Sequence, residues 1–220
     1  MKSVITIKNC KVVNEGLIEE KDILIKSGRF ERISGDIVSE GHVIDAAGLF
    51  LLPGIIDDQC HFREPGLTER GSIKTESLSA IAGGTTSFME MPNVLPPTLD
   101  IDLWREKIQI AEQTAAANFS FYMGTSNSNI DQIKAIDPKE VCGVKIFMGS
   151  STGDLCVDSE SALNDIFKES PVIITTHCED DPMVKDMEQQ FLARYGEKIP
   201  IEMHAEIRSR EACIKSSKKA

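Results

Sequence analysis

The densest group of reactive side chains lies in Asp57-Asp58-Gln59-Cys60-His61-Phe62-Arg63-Glu64-Pro65-Gly66. Side chains alternate between the two faces of a strand, so Gln59 and His61 share a face, and Arg63 joins them if strand geometry continues. A pair spaced this way at a strand end can reach one metal ion. His61 is the good ligand of the two, because Gln59 offers only a carbonyl oxygen, a weaker donor to zinc than imidazole. The bland alternative for His61 is a hydrogen-bonded histidine. Arg63 either grips a carboxylate with two parallel N–H bonds or closes a loop salt bridge.

His177 directly follows the apolar run Val172-Ile173-Ile174-Thr175-Thr176 and is a second candidate ligand. Cys178 and Cys60 are out of phase with the two histidines and read as packing. Glu179 is back in phase, as a rim or salt-bridge residue. Lys145 sits inside the apolar run Val144-Lys145-Ile146-Phe147, where an ammonium cannot stay charged and unpaired. Three states satisfy it: an ion pair with a carboxylate, a neutral nucleophile of the Schiff-base kind, or a carbamate formed with CO₂, which supplies two oxygens to metals. The segment Gly149-Ser150-Ser151-Thr152-Gly153-Asp154 has no Gly-Lys-Ser/Thr and so is no phosphate loop; it reads as a flexible stretch over the mouth of the site, with Asp154 as a turn residue.

The elements that must position these groups change character at Pro53. Residues 1–50 hold short strand-like runs (5–13, 22–26, 29–33 and 42–45) separated by Gly turns. They read as antiparallel strands and as part of a small β-sandwich whose second sheet fifty residues can hardly supply. From residue 51 onward, apolar runs at 51–60, 88–91, 119–123, 144–148 and 172–176 alternate with helical stretches near 72–82, 100–117, 159–168 and 182–194 and a short turn near 129–135. Strand alternating with helix predicts parallel strands joined by crossovers. His61, Asn93 and His177 arrive at the C-terminal ends of these strands, which is where a (β/α)₈ barrel builds its active face. No glycine-rich turn follows the first strand, which argues against a dinucleotide-binding sheet. The fold class is therefore α/β: the first five strands of a TIM-type barrel over 51–220, preceded by a partial β-sandwich over 1–50. The final stretch, 207–220, reads as helix. Leu103 and Trp104 suit a helix face packed on the barrel, His42 lies in the sandwich portion, and His204 falls in a loop.

Composition narrows the class of function. The chain has 220 residues, 41% hydrophobic and 27% charged, as a globular protein does. A net charge of −11 argues against nucleic acid as partner; the cluster Lys215, Lys218 and Lys219 reads as a solvated helix face. No apolar stretch of the ~18 residues needed to span a bilayer is present, and Met1-Lys2-Ser3 does not lead into a signal peptide's apolar core. A cytoplasmic protein acting on a small molecule is expected, and a homodimer is compatible with that. The six cysteines form no CxxC pair and are expected as free thiols.

Pro53-Gly54-Ile55-Ile56-Asp57 followed by His61-Phe62-Arg63-Glu64-Pro65-Gly66 resembles the signature of the dihydroorotases of the amidohydrolase superfamily. Ala82-Gly83-Gly84-Thr85-Thr86, Met91-Pro92-Asn93, Gly143-Val144-Lys145-Ile146-Phe147 and Thr176-His177-Cys178-Glu179 continue it in order, over essentially the whole chain. The resemblance implies a (β/α)₈ barrel with a sandwich built from both chain ends. It implies reversible hydrolysis of dihydroorotate to N-carbamoyl-aspartate in pyrimidine biosynthesis, with one or two zinc ions. By the same resemblance His61 and His177 are metal ligands, Lys145 is a carboxylated bridging lysine, and Arg63 and Asn93 hold the substrate carboxylate. The sequence departs from the family at Gln59, where the family's His-x-His places a histidine. The family takes a further histidine from strand six and a catalytic aspartate from strand eight. Both would lie beyond Ala220, so the chain is expected to be the first half of such an enzyme and inactive by itself. The nearest rivals are a hydantoinase- or allantoinase-like amidohydrolase, disfavoured here by Arg63, and a non-catalytic relative that has kept the fold.

Overall fold

Residues 3–149 and 153–220 are described in the computed structural model of the chain, and they divide into two units, 1–55 and 56–220. In the first unit, alternating apolar residues build β1 (Val4–Asn14), β2 (Leu17–Lys26), β3 (Arg29–Ser34), β4 (His42–Asp45) and β5 (Phe50–Leu51). The sheet order is β3-β2-β1-β4, with β5 also paired to β1. Only β1–β2 and β2–β3 are antiparallel; β4 and β5 run parallel to β1. The expectation of antiparallel strands throughout is corrected there, because the long 35–41 connection returns the chain to the start of β1 rather than reversing it in a tight turn. Asp22, buried on β2, accepts from the amides of Asn9 (2.9 Å) and Ile37 (2.9 Å) and is paired with Lys8. One face of the sheet leaves an apolar groove of about 510 Å³, lined by Ile7, Val12, Ile23, Ile25, Phe30 and Leu51 among others.

The second unit alternates strand and helix in chain order. Its elements are β6 (Ile55–Cys60), α1 (Ile73–Ala82), β7 (Thr85–Glu90), α2 (Ile101–Thr114), β8 (Asn118–Phe121), β9 (Met123–Gly124), α3 (Ile130–Lys134), β10 (Val144–Phe147), α4 (Glu160–Glu169), β11 (Ile174–His177), α5 (Asp181–Tyr195), α6 (His204–Ile207) and α7 (Arg210–Ser217). The strands form two three-stranded sheets, β6-β7-β8 and β9-β10-β11, joined through the shared segment 118–124. The pairs β7–β8, β9–β10 and β10–β11 are parallel. This is a partial (β/α) barrel preceded by a small mixed sheet, as the alternation predicts. The run 51–60 is not one strand: Leu51 stays in the first sheet, and Pro53-Gly54 interrupts pairing, since proline has no N–H to give a ladder.

Local signals explain the helices. Ser72, Asp100, Ser159, Asp180 and Ser209 each cap a helix by accepting the amide three residues on. The 207–220 stretch is broken at Arg208, because Ser209 starts a new helix; His204 begins the one-turn α6 rather than lying in a loop. On α2 the buried positions Trp104, Lys107 and Ala111 follow helical spacing. Trp104 Nε1 donates to the Phe121 carbonyl at 2.9 Å. Phe62, Phe88, Phe119 and Phe121 form the aromatic centre of the core, with Phe62 and Phe88 centroids 4.6 Å apart. Phe88, fully buried, contributes about 1.5–3 kcal/mol. No helix among the described residues is long and apolar enough to cross a membrane.

Candidate active site

The ends of β6 and β7 carry the first half of the site. β6 stops at Cys60, so His61, Phe62 and Arg63 lie beyond it. Phe62 turns into the aromatic core and His61 away from it. His61 Nδ1 lies 2.8 Å from Asn93 Oδ1. A carbonyl oxygen only accepts, so Nδ1 carries the proton and Nε2 keeps a lone pair. The ring edge is open to solvent, yet the protein around it lowers the His61 pKa. Burial is the main cause, the Asn93 bond opposes it, and the positive charges of Arg63 and Lys145 lower it further.

Arg63 does not continue the strand. Its φ is +72°, in the left-handed region, so the phase argument that set it beside Gln59 and His61 fails at this residue. The guanidinium nevertheless reaches the same place by another route: Nη1 donates to the Asn93 carbonyl at 3.2 Å. Gly66 holds the turn close to the segment after β7, where a Cβ would stand 1.9 Å from the Leu95 carbonyl oxygen.

β10 and β11 carry the second half. Val144 and Ile146 join the core, which leaves Lys145 and Phe147 on the opposite face. In the parallel register Lys145 faces Thr175 and Phe147 faces His177. The Phe147 and His177 rings lie 6.1 Å apart, and Lys145 Nζ stands 5.2 Å from the Phe147 centroid. Lys145 is 2% exposed. Its ammonium has no hydrogen bond or ion pair among the described residues, so the carboxylate-pair reading is not met. Burial lowers its pKa, against a smaller upward pull from Cys178. His177 Nε2 lies 2.9 Å from Glu179 Oε2, which makes Nε2 the protonated nitrogen and leaves Nδ1 a lone pair. Glu179 also pairs with Arg208.

The donor set fits a metal in part. Each imidazole has one nitrogen oriented by an oxygen partner and one left to donate, the usual arrangement of a metal-binding histidine. Among the described residues there is no group of three His, Cys, Asp or Glu side chains that could hold an ion. Lys145 lies on the face that carries His177, and its positive charge acts on His61. Cys60 does not serve, because burial pushes its thiol well above the usual range. Gln59 is exposed. Asp154 lines a separate polar cavity of about 710 Å³ with Asp100, Asp131 and Asp158. Ser150, Ser151 and Thr152, expected over the mouth, lie outside the described residues.

Two pairs escaped the sequence reading. Glu90, 1% exposed at the end of β7, is paired with Lys107, 0% exposed on α2. The signal was present: Lys107 sits in the apolar stripe of α2 and Glu90 on the same face of β7 as Phe88. Arg208 is the second, and it follows no pattern that marks it as a partner of Glu179. Lys215, expected as merely solvated, bonds Asp180 at 2.9 Å.

No family model matches the chain. It is 33% identical over 199 residues to the L-hydantoinase of Paenarthrobacter aurescens, covering 87% of this chain and 43% of that protein. It is 35% identical over 191 residues to the dihydroorotase of Methanosarcina mazei, covering 84% and 41%. It is 30% identical over 214 residues to the allantoinase of Bacillus velezensis, covering 94% and 47%. Among solved structures, the L-hydantoinase from Arthrobacter aurescens superposes with a TM-score of 0.92 at 29% identity, over 100% of this chain and 49% of that one. The chain thus spans less than half the length of each of these relatives. With the strand-end histidines, the interior lysine and the partial barrel in place, these likenesses show that the chain belongs to the amidohydrolase superfamily, in the group of hydantoinases, dihydroorotases and allantoinases.

Proposed function

We propose that the whole protein hydrolyses the amide bond of a neutral cyclic ureide, of the hydantoin or allantoin kind, with zinc held by His61, His177 and a carbamate on Lys145. The observation that carries this reading is Lys145, a buried ammonium without a hydrogen-bond or ion-pair partner among the described residues, on the face it shares with His177. A lysine whose pKa is lowered by burial spends more time as the free amine. The amine attacks CO₂, loses one proton and becomes an N-carboxylate, which adds the oxygen donors that the two imidazoles lack. Zinc bound there would polarise the ring carbonyl. Water's oxygen adds to the carbonyl carbon, the ring C–N bond breaks, and the nitrogen leaves with a proton. In this reading Arg63 and Asn93 would hold a substituent of the ring, a role supported by the contact between them, and no general base is assigned to this chain. The likeness to proteins named L-hydantoinase and allantoinase supports the neutral ring.

Arg63 favours a second reading, a ring that bears a carboxylate, as dihydroorotate does; the dihydroorotase relative at 35% identity supports it. The test is turnover by the whole zinc-loaded protein of hydantoin, allantoin and dihydroorotate. Faster opening of a neutral ring is expected. Preference for dihydroorotate would replace the first reading by the second, and turnover of none of them would overturn both in favour of a non-catalytic relative.

A further inference from the structure

The carboxylate of Glu90 is buried at the joint between the two strand ends that carry His61, Arg63 and Asn93. Its Oε1 accepts two successive amides, Phe62 N at 3.1 Å and Arg63 N at 3.2 Å. Its Oε2 faces the ammonium of Lys107. Lys107 is fixed in turn by the Met91 carbonyl, which accepts from Nζ at 3.0 Å, and by the Phe121 ring, whose centroid is 4.9 Å away. Both charged groups are essentially without solvent contact.

The amides that Glu90 holds belong to the turn that aims Arg63. Arg63 adopts φ +72°, a conformation that side chains other than glycine rarely adopt. Such a backbone persists only where its surroundings over-determine it. Here one oxygen that collects both N–H groups orients the peptides on either side of Phe62. The guanidinium then reaches the Asn93 carbonyl. His61 is held separately, through the Asn93 side chain. We propose that Glu90, with Lys107 as its counter-charge, is a positioning residue that holds the Arg63 backbone in its left-handed turn and so sets the aim of the guanidinium on the substrate's ring substituent. The last clause rests on the cyclic-amide reading; the backbone role does not.

Two double variants separate this role from that of a buried ion pair. Glu90→Gln with Lys107→Met removes both charges but keeps an oxygen for the two amides. Glu90→Leu with Lys107→Met removes the charges and the oxygen together. Amide hydrogen exchange at Phe62 and Arg63 reads the backbone directly. Protection is expected to survive in the Gln variant and to be lost in the Leu variant, with zinc content unchanged in both. In turnover, the Leu variant is expected to raise KM about tenfold or more for a ring that carries an oxygen-bearing substituent, and to leave KM for unsubstituted hydantoin as it was. Equal protection in the two variants, or equal loss, overturns the positioning role. If the parent opens no ring, the cyclic-amide reading fails and the exchange comparison alone decides the backbone role. Should the Leu variant not fold, Glu90→Asp replaces it: its shorter arm keeps a charge for Lys107 but withdraws the oxygen from the amides. Loss of protection at Phe62 and Arg63 is then expected, and full protection overturns the proposal.

Discussion

Asn93 Oδ1 lies 2.8 Å from His61 Nδ1, so a residue on the loop after β7 sets the tautomer of a histidine at the end of β6. The same asparagine accepts the Arg63 guanidinium with its main-chain oxygen. One loop thus orients the candidate metal ligand with a side chain and the candidate substrate contact with its backbone. The two functions can be separated by mutation.

Asn93→Ala is expected to release the His61 ring and weaken zinc binding about 10–100-fold, the usual effect of deleting the partner that orients a ligand. The Arg63 contact, made to the backbone, should persist. Competition for zinc against a chromophoric chelator measures the change, and parent-like affinity would remove Asn93 from that role.

Arg63→Met should leave zinc content intact and lower kcat/KM for a ring bearing a carboxylate by about 2–5 kcal/mol, because the carboxylate is left unpaired in the site. Hydantoin, which has no such group, should be affected far less. Parallel kinetics on dihydroorotate and hydantoin decide it; equal losses would mean that Arg63 supports the loop and does not meet the substrate.

Lys145 should carry the mass of one CO₂ in the zinc-loaded whole protein. The added mass should be absent from Lys145→Arg, whose guanidinium does not form the carbamate, and zinc retention should fall with it. Native mass spectrometry with labelled bicarbonate tests this. A plain amine in the zinc-loaded parent would sink the assignment.

Lys107→Met alone leaves the Glu90 carboxylate buried and unpaired, which is expected to cost about 3–5 kcal/mol of stability. Adding Glu90→Gln should recover most of that loss, since the neutral amide needs no counter-charge and its oxygen still takes the Phe62 and Arg63 amides. Urea unfolding of the single and double variants gives the comparison. A single variant as stable as the parent would show that the pair is not coupled in the way its burial requires.

Asp180 offers a pH test away from the site. It caps α5, accepting from the Met183 amide at 3.2 Å, and bonds Lys215. Burial pushes its carboxyl up, but Lys215 and the Met183 amide outweigh burial, and its pKa is lowered. A carboxyl with a depressed folded pKa adds stability that is present above the unfolded value, about 3.9, and is lost as pH falls through the folded one. Asp180→Asn should therefore cost about 1 kcal/mol at neutral pH and narrow the gap to the parent below about pH 4. Thermal unfolding from neutral pH down into the acid range reads the gap; a constant difference would assign the effect to the cap alone.

Much of this molecule is legible along the chain because its causes are local. Capping residues and helical spacing place α1, α2, α4 and α5 within a few residues of where the sequence sets them. The apolar runs locate the barrel strands, and the arrival of His61, Asn93 and His177 at or just past strand ends puts the candidate site there. What the tertiary structure alone decided depends on residues far apart in sequence. The parallel pairing of β4 with β1, the closure of Glu90 on Lys107 seventeen residues later, and the meeting of Glu179 with Arg208 have no local signature. The left-handed turn at Arg63 is the sharpest case. Alternation along a strand predicts a side chain's direction only while the backbone stays extended, and whether it stays extended past Cys60 is settled by a carboxylate on the neighbouring strand.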